Sequence, residues 1–537
     1  MEKEMPEIIR VHSQEELLAL SQPLLSEETG KKPAKKPRLT PSPSDGGFTI
    51  GLYQEHLEEI SFLFAQCQAL FSDPEIPWPE VAEFEERLAA HIDAIELGED
   101  LARRCTLELL ESHLEGDDGD EEEIRGAVYT LATAGGPEAI DEVLKIMEAA
   151  DEKFIPCFVD ALKYTPRQGT AERLFPLLSH GRPEIRAAAA RILGYRREGQ
   201  AGGSVPLLIS LLQDDNPQVI SAAAYALGHL AGQLQYRAAI PGLERSLAHQ
   251  DPAAQHYVAL ALFRMGHHPA LEYLTTLCQT ANLSFPWPVL SLALCGRADD
   301  LHVFIGLIRH RQKNRHMRYD QNDRHVTSNI LLAMGILGNV QAVEILIDEL
   351  KVVWGEGVQG EEGEGGAYDK NLQSEVGTYD ESWKVSAGEA LELITGAGLR
   401  ETVTLVDPVD PDELLEGEEE PSVPTVQKLE RVCTSYEEWA IWWQKNRSRF
   451  HPAIRWRYGK PFDFGLCIDE MASEKARYAD RQRAYLEVTI RSGHDIPFEP
   501  DWFVGRQKEA LHRWQTWWQE KSRKFPPGRW YFQGRET

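Results

Sequence analysis

Two adjacent stretches of the chain repeat each other, and this limits the possible folds more than any other feature. PEIRAAAARILGYRREGQAGGSVPLLISLLQDD runs from Pro183 to Asp215, and PQVISAAAYALGHLAGQLQYRAAIPGLERSLAHQD runs from Pro217 to Asp251. The landmarks recur in order: Pro183/Pro217, Ala188/Ala222, Gly194/Gly228, Pro206/Pro241, Leu212/Leu247 and Asp215/Asp251. A period of about 34 residues made of two amphipathic helices predicts an α-solenoid of stacked helix pairs. Pro183 and Pro217 fit the first turn of a helix, where a missing N–H costs nothing. Ala188, Ala189 and Ala190 are small enough to let helix axes approach. Gly194 and Gly228 are expected to end the first helix of each pair in a left-handed conformation. Leu207, Leu208, Leu211 and Leu212 supply the apolar stripe of the second helix. One such pair cannot bury both faces, so neighbours must stack.

The D-x-x-P-x-V-R-x-A-A-A-x-A-L-G style of these units resembles the HEAT repeat, in the short variety shared with phycobilisome-lyase-like proteins. The resemblance implies an all-α solenoid. Further helix pairs are expected at Glu123–Ala150, Lys153–His180, Pro252–Gln279, Pro286–His310 and about Arg324–Lys351. The stretch HLEEISFLFAQCQALF with EERLAAHIDAIELG adds a second resemblance. It is similar to the N-terminal part of a Gram-negative family of HEAT-repeat proteins of unassigned activity, whose genes often lie near type VI secretion genes. That resemblance implies an accessory or immunity-like role beside such a system, in a bacterial cytoplasm.

The 537 residues suffice for one extended array, and their formal charge of −30 counts against a general nucleic-acid binder. The seven cysteines, Cys67, Cys105, Cys157, Cys278, Cys295, Cys433 and Cys467, form no close pair. That suits a reducing compartment and offers no zinc signature. No run approaches about 18 apolar residues, and the first residues lack the order of a signal peptide, so cytoplasmic residence without membrane insertion is expected.

Taken in order, residues 1–47 read as a disordered segment and linker, with a basic run from Lys31 to Arg38 that matches either a nuclear-localisation signal or plain solvated chain. Residues 48–115 read as a helical N-terminal cap, since a solenoid needs a terminal unit with a polar outer face. Gly116–Glu123, GDDGDEEE, shares only composition with a calcium loop and reads as an acidic turn. HEAT-like repeats occupy 116–351. A terminal repeat over 352–450 is interrupted by acidic insertions at 355–382 and 403–428, expected to be exposed loops. Gly355 to Glu420 carries about nineteen acidic and three basic residues, roughly half of the charge excess. The insertions serve either solubility or as a lure for a basic partner.

Residues 451–537 form a Trp-rich C-terminal repeat. Trp439-Ala-Ile-Trp442-Trp443 ending at Phe450 is echoed by Trp514-Gln-Thr-Trp517-Trp518 ending at Phe525. Each follows, at a distance, a helix ending in Gly: Ala390–Gly396 and Tyr485–Gly493. This resembles the last repeats of bacterial HEAT proteins. The Trp helices are expected to bury Trp439 with Trp443 and Trp514 with Trp518, and to pack on 390–396 and 485–493 respectively. Arg455-Trp456-Arg457-Tyr458 and Arg529-Trp530-Tyr531-Phe532 mix cations and aromatics. They read either as Arg–Trp stacking inside the fold or as a single-strand nucleic-acid surface.

One stretch is conspicuously cationic. Ile308–His325 gathers Arg309, Arg311, Lys313, Arg315, Arg318 and Arg324 with three histidines. It is expected to be a loop joining two helix pairs. Three readings stand open: a site for an acidic protein partner, an internal partner for the acidic insertions, or a solvated connection. The residues carry no metal-ligand spacing. No P-loop, G-x-S-x-G, H-E-x-x-H, Cys pair or His-Glu dipeptide occurs, so no catalytic, cofactor-binding or metal-binding residue is assigned. The expectation is a non-enzymatic protein–protein interaction scaffold. The competing class is a HEAT-fold enzyme, phycobilin-lyase-like or DNA-glycosylase-like, the latter requiring an open basic surface.

Overall fold

Helices begin where the sequence supplies a cap and a proline. Asn216 accepts a hydrogen bond from the backbone N–H of Gln218 at 2.8 Å, and Asp251 accepts one from Ala254 at 2.8 Å. Pro217 and Pro252 follow as first helical residues. Elsewhere in the computed structural model one half of the device suffices: Pro183 starts its helix without a side-chain cap, and Asp120 caps its helix without a proline. The structure describes residues 43–115, 119–136, 138–197, 201–230, 234–279, 285–313, 321–351, 382–406 and 426–537. The basic run at 31–38 and the tips of both acidic insertions lie outside them. The chain divides into Met1–Thr49 and Ile50–Thr537, and the helical array belongs to the second unit.

The first described helices are α1 (Pro43–Leu70), α2 (Ala82–Leu97) and α3 (Glu99–Leu114). Eight helix pairs follow among the described residues. They are α4 (Glu121–Ala134) with α5 (Ala139–Ala149), α6 (Ile155–Tyr164) with α7 (Thr170–Leu174), and α8 (Pro183–Arg196) with α9 (Val205–Leu211). Next come α10 (Pro217–His229) with α11 (Ile240–Ser246), α12 (Pro252–Arg264) with α13 (His268–Gln279), and α14 (Trp287–Cys295) with α15 (Leu301–Lys313). The last are α16 (Gln321–Leu337) with α17 (Val343–Leu350), and α18 (Ser382–Thr395) with α19 (Tyr436–Asn446). The chain ends in α20 (Phe464–Ala472), α21 (Tyr478–Ser492) and α22 (Val504–Lys521). The fold is an all-α solenoid, as the repeat predicts.

The first helices stack on one another in one layer, α4 through α18, and the second helices form the other. Close approach within the first layer depends on glycine, and here the expectation for Gly194 and Gly228 is corrected. Both lie inside their helices with ordinary right-handed backbone. A Cβ at Gly194 would sit 2.7 Å from the Cα of Ala226, and one at Gly228 would sit 3.0 Å from the Cα of Ala261. Gly335 meets Ala390 in the same way, at 2.5 Å. These glycines exist for contact between helix axes rather than for turning the chain.

Strands complete the fold where loops were expected. β1 (Arg400–Val406) pairs antiparallel with β2 (Val426–Val432), so the segment 403–428 is an antiparallel ribbon at its base. Alternating Thr402, Thr404 and Val403, Leu405 explain the strand, with β-branched residues at period two. β3 (Trp456–Arg457) with β4 (Lys460–Pro461) and β5 (Tyr531–Phe532) with β6 (Arg535–Glu536) are tight hairpins. Their tips, Tyr458-Gly459 and Gln533-Gly534, have positive φ at both residues, the hairpin turn that matches strand twist.

Trp439 and Trp514 are fully buried, and their indole N–H groups donate to Cys433 O at 2.8 Å and Ile496 O at 2.9 Å. Trp443 and Trp518 are only half-buried, and Trp517 is buried instead. Of the expected helix partners, α19 packs on α17 instead, whereas α22 meets α21 at Tyr485 and Trp514, centroids 6.4 Å apart, with α20 packed against both.

Candidate functional site

An α-helix leaves its last carbonyls without partners, and its C-terminus carries about half a negative charge. The eight first helices all end along one edge of the solenoid, and cations and amides meet most of those ends. Arg167 donates to Ala132 O and Thr133 O at the end of α4, at 3.2 and 2.8 Å. Arg196 donates to Leu162 O and Thr165 O beyond α6, at 3.1 and 2.5 Å. From there the donors come from the C-terminal residues 455–537. Gln533 reaches Phe263 O in α12 at 2.9 Å. Arg491 reaches Ala293 O and Gly296 O at the end of α14, at 2.9 and 3.1 Å. Arg455 reaches Ile336 O and Leu337 O at the end of α16, at 3.0 and 3.1 Å, and Trp530 also donates to Leu337 O at 3.1 Å. The backbone of Tyr458 and Gly459 meets Leu393 O and Ile394 O in α18, at 2.6 and 3.1 Å.

The C-terminal module therefore runs along this edge as a clasp, and it reaches α2 and the turn before it too. The backbone N–H of Val504, at the start of α22, donates to both oxygens of Glu85, 419 residues away, at 2.8 and 3.0 Å. The Arg481 guanidinium lies 4.3 Å from the Trp78 ring centroid. Asp501 accepts from the hydroxyls of Tyr164 at 2.9 Å and Tyr195 at 3.0 Å.

Two buried charge clusters hold the clasp. In the first, Glu487 accepts hydrogen bonds from Arg455 and, at 2.6 Å, from Arg457, and its Oε1 lies 3.3 Å from Nε of Arg491. Glu487, Arg455, Arg457 and Arg491 are all 0% exposed. Burial alone would raise the Glu487 carboxyl, but Arg457, Arg455, Arg491 and Arg483 together hold it well below the usual carboxylate range. Burial and the neighbouring Arg491 push Arg455 down to about 9, still protonated at neutral pH. Glu470 pairs with Arg457 at 3.2 Å and with Arg483. Arg483 also pairs with Asp480 at 3.3 Å, so four guanidiniums face three carboxylates, and the negative ends of α14 and α16 add to the balance.

In the second cluster, the Tyr485 hydroxyl donates to Asp495 at 2.7 Å and accepts from Arg197 at 2.6 Å and Arg264 at 3.0 Å. Arg264 also donates to Asp495 at 2.9 Å, and Arg197 to Glu499. Burial would raise Asp495, but Arg264 and Arg197 outweigh it and bring the carboxyl down to about 2. His229 Nε2 stands 3.3 Å from Glu499, and burial keeps its ring neutral with a pKa well below the ordinary value. Burial pushes all seven cysteine thiols up, Cys67 to about 12, so none is an activated thiolate. Among the described residues, no group of three or more His, Cys, Asp or Glu could hold a metal ion. Among them also, no helix is long and apolar enough to cross a membrane.

The cationic stretch is arranged differently from the expected loop. Helix α15 runs on to Lys313 and α16 begins at Gln321, so only 314–320 connect them. Arg309, Arg311 and Lys313 occupy the last turns of α15, where good helix formers with positive charge are favoured. Arg309 and Lys313 are exposed, Arg324 is half-buried, and Arg311 is buried, with Nη1 3.5 Å from the Thr327 hydroxyl. Arg315 and Arg318 lie outside the described residues. Arg455 and Arg457, read as stacking on Trp or as a nucleic-acid surface, are inside the fold, where Arg455 lies 3.6 Å from the centroid of Phe462. One sequence signal did point to the buried network. Glu487 and Arg491 stand four residues apart in a helix whose Val488 and Ile490 mark it as buried.

Among known proteins, the family model for HEAT repeats matches residues 171–233. No curated protein matches the chain. Solved structures similar to it include an engineered protein of a structural genomics consortium, 17% identical, covering 62% of this chain and 91% of its own, with a TM-score of 0.25. Computationally designed armadillo repeat proteins for modular peptide recognition are 18% identical, covering 41% of this chain and 91% of their own, with a TM-score of 0.21. Kap121p bound to Ste12p is 11% identical, covering 84% of this chain and 53% of its own, with a TM-score of 0.38. Residues 171–233 thus resemble HEAT repeats, within an all-α solenoid.

Proposed function

We propose that this protein is a non-enzymatic scaffold that holds another protein. The observation that supports this reading is the solenoid itself, a stacked array whose second helices keep one polar face in solvent while the C-terminal module contacts mainly the first helices. Extended surfaces of this kind are what solenoids present to partners. We read the partner as acidic, meeting the exposed Arg309 and Lys313 at the end of α15 together with Arg315, Arg318 and Arg324. Arg311 supports the helix junction from inside. The resemblance to proteins encoded near type VI secretion genes supports an accessory or immunity-like role in a bacterial cytoplasm.

A photo-cross-linking residue placed at Arg309 or Lys313 in the full chain tests this. The expected product is one discrete acidic protein, obtained from cells that carry a type VI gene cluster and absent when the cluster is deleted. Changing Arg309, Lys313, Arg315 and Arg318 to Glu should slow its capture, with the difference fading as salt shortens the screening length to a few ångströms. Capture at the wild-type rate in low salt refutes the basic site. A product unaffected by deletion of the cluster refutes the secretion role and leaves the scaffold.

A further inference from the structure

The ribbon of β1 and β2 has an open edge whose phase can be read from one bond. An antiparallel pair alternates between opposite residues that exchange hydrogen bonds and opposite residues whose N–H and C=O point away. The Cys433 N–H donates to Leu399 O at 3.1 Å, one step beyond the Arg400–Val432 pair. Glu401 with Arg431 and Val403 with Leu429 fall on the same phase. Lys428 and Glu430 therefore turn their N–H and C=O outward, along the far side of β2. Among the described residues no third strand pairs with the ribbon. Lys428, Leu429 and Glu430 are exposed, Leu429 at 40%. Two strands alone are marginal in water, and an open edge is a template for another strand.

This edge matches itself. A second copy of β2, laid antiparallel and centred on Leu429, places Lys428 opposite Glu430 of the other copy, twice over. Lys428 and Glu430 become the hydrogen-bonded positions and Leu429 the closer non-bonded one, as the direction of their backbone groups requires. Other registers fail. A slip of one residue sets outward groups against inward ones. A slip of two sets Lys428 opposite Lys428, or Glu430 opposite Glu430, and like charges directly opposite are destabilising. A lysine on an edge strand ordinarily discourages pairing. Here Glu430, two residues on, turns it into a selector of one partner and one register.

We infer that the outer edge of β2 joins two copies of this chain, by antiparallel pairing of residues 428–430 about Leu429 into a four-stranded sheet. Since side chains alternate along a strand, Val403, Leu429 and their counterparts form an apolar row on one face. The two Lys428–Glu430 pairs lie on the other. The contact is isologous, as a two-fold dimer demands.

The test is sedimentation velocity on the full chain over a concentration series. A monomer–dimer equilibrium in the micromolar range is expected, because the contact is small. Glu430→Lys and Lys428→Glu each set like charges opposite one another and should weaken the dimer by about tenfold or more. An equimolar mixture of those two chains restores both pairs and should associate more tightly than either alone. The double exchange Lys428→Glu with Glu430→Lys should return the wild-type constant. Glu430→Pro removes an outward N–H while sparing the bonds between β1 and β2, and should abolish the dimer. Leu429→Cys should give a disulfide-linked dimer on mild oxidation, since opposite non-bonded residues lie about 4.5 Å apart and the seven native cysteines are buried. A chain that stays monomeric at about 200 µM overturns the proposal and leaves the edge to a strand of some other protein. So does a dimer unmoved by Glu430→Lys and Glu430→Pro, or a mixture no tighter than its components.

Discussion

Replacing Glu487 by Gln should release the C-terminal clasp from the solenoid edge. The side chain is 0% exposed and is the shared counter-charge of Arg455, Arg457 and Arg491. The amide keeps the shape and removes the charge. Breaking a buried ion pair from one side costs about 3–5 kcal/mol. Arg455 and Arg491 would still cap carbonyls of α16 and α14, whose partial negative charges soften the loss. The lower figure, about 3 kcal/mol, is therefore expected, or roughly a hundredfold in the clasp's opening equilibrium. Hydrogen exchange read by mass spectrometry should accelerate by roughly that factor in peptides covering 455–462 and 487–493. Peptides within α8 and α10 should keep their rates. Because Glu487 is held below its unfolded value, its contribution is present above the ordinary carboxylate range near pH 4.5 and is lost as pH falls further. Wild-type exchange in these peptides should thus rise in acid, and the Gln variant should lose that part of the pH dependence. Adding Arg455→Met to Glu487→Gln should recover part of the stability, since one uncompensated guanidinium is gone. Unchanged exchange at 455–462 in a folded Glu487→Gln chain would refute the idea that this network holds the clasp.

Glu85 works in the opposite direction: burial raises it to about 7, against the Val504 N–H and Lys508. Its contribution is present below the unfolded value near 4.5 and lost as pH rises through about 7, so Glu85→Gln should raise the melting temperature more at pH 8 than at pH 5. Asp495, brought down to about 2, supports the clasp above its ordinary 3.8; Asp495→Asn should be destabilising at pH 7 and nearly neutral close to pH 2, as read by urea unfolding at each pH. Gly335→Val should disrupt the contact between α16 and α18, because a Cβ there already meets the Cα of Ala390 at 2.5 Å; a loss of about 1–3 kcal/mol or more is expected in urea unfolding. Trp439→Ala should cost on the order of 3–5 kcal/mol, and a melting temperature within experimental error of wild type would show that the indole is not a core wedge.

The repeat itself was legible in the sequence because it is local. Pro183, Pro217 and Pro252 start helices through their own backbone geometry, and apolar residues at helical spacing mark the buried faces whatever lies opposite. The helix pairs and the burial of Trp439 and Trp514 follow from such short-range rules. Gly194 and Gly228 mark the limit of that reasoning. A glycine near a helix end looks alike whether it turns the chain or admits a neighbouring helix, and only the position of Ala226 or Ala261 separates the two. The clasp lay beyond it altogether. Arg455, Arg491 and Gln533 become intelligible only when helix ends from distant repeats are brought to one edge, because an unpartnered carbonyl belongs to a place in space and not to a residue type. The same holds for Arg264, whose neighbours Tyr485 and Asp495 are 221 and 231 residues away. Helix formation is decided within a few residues, so the sequence determined the solenoid; which charges meet is decided by closure of the chain on itself, so the tertiary structure alone decided the clasp.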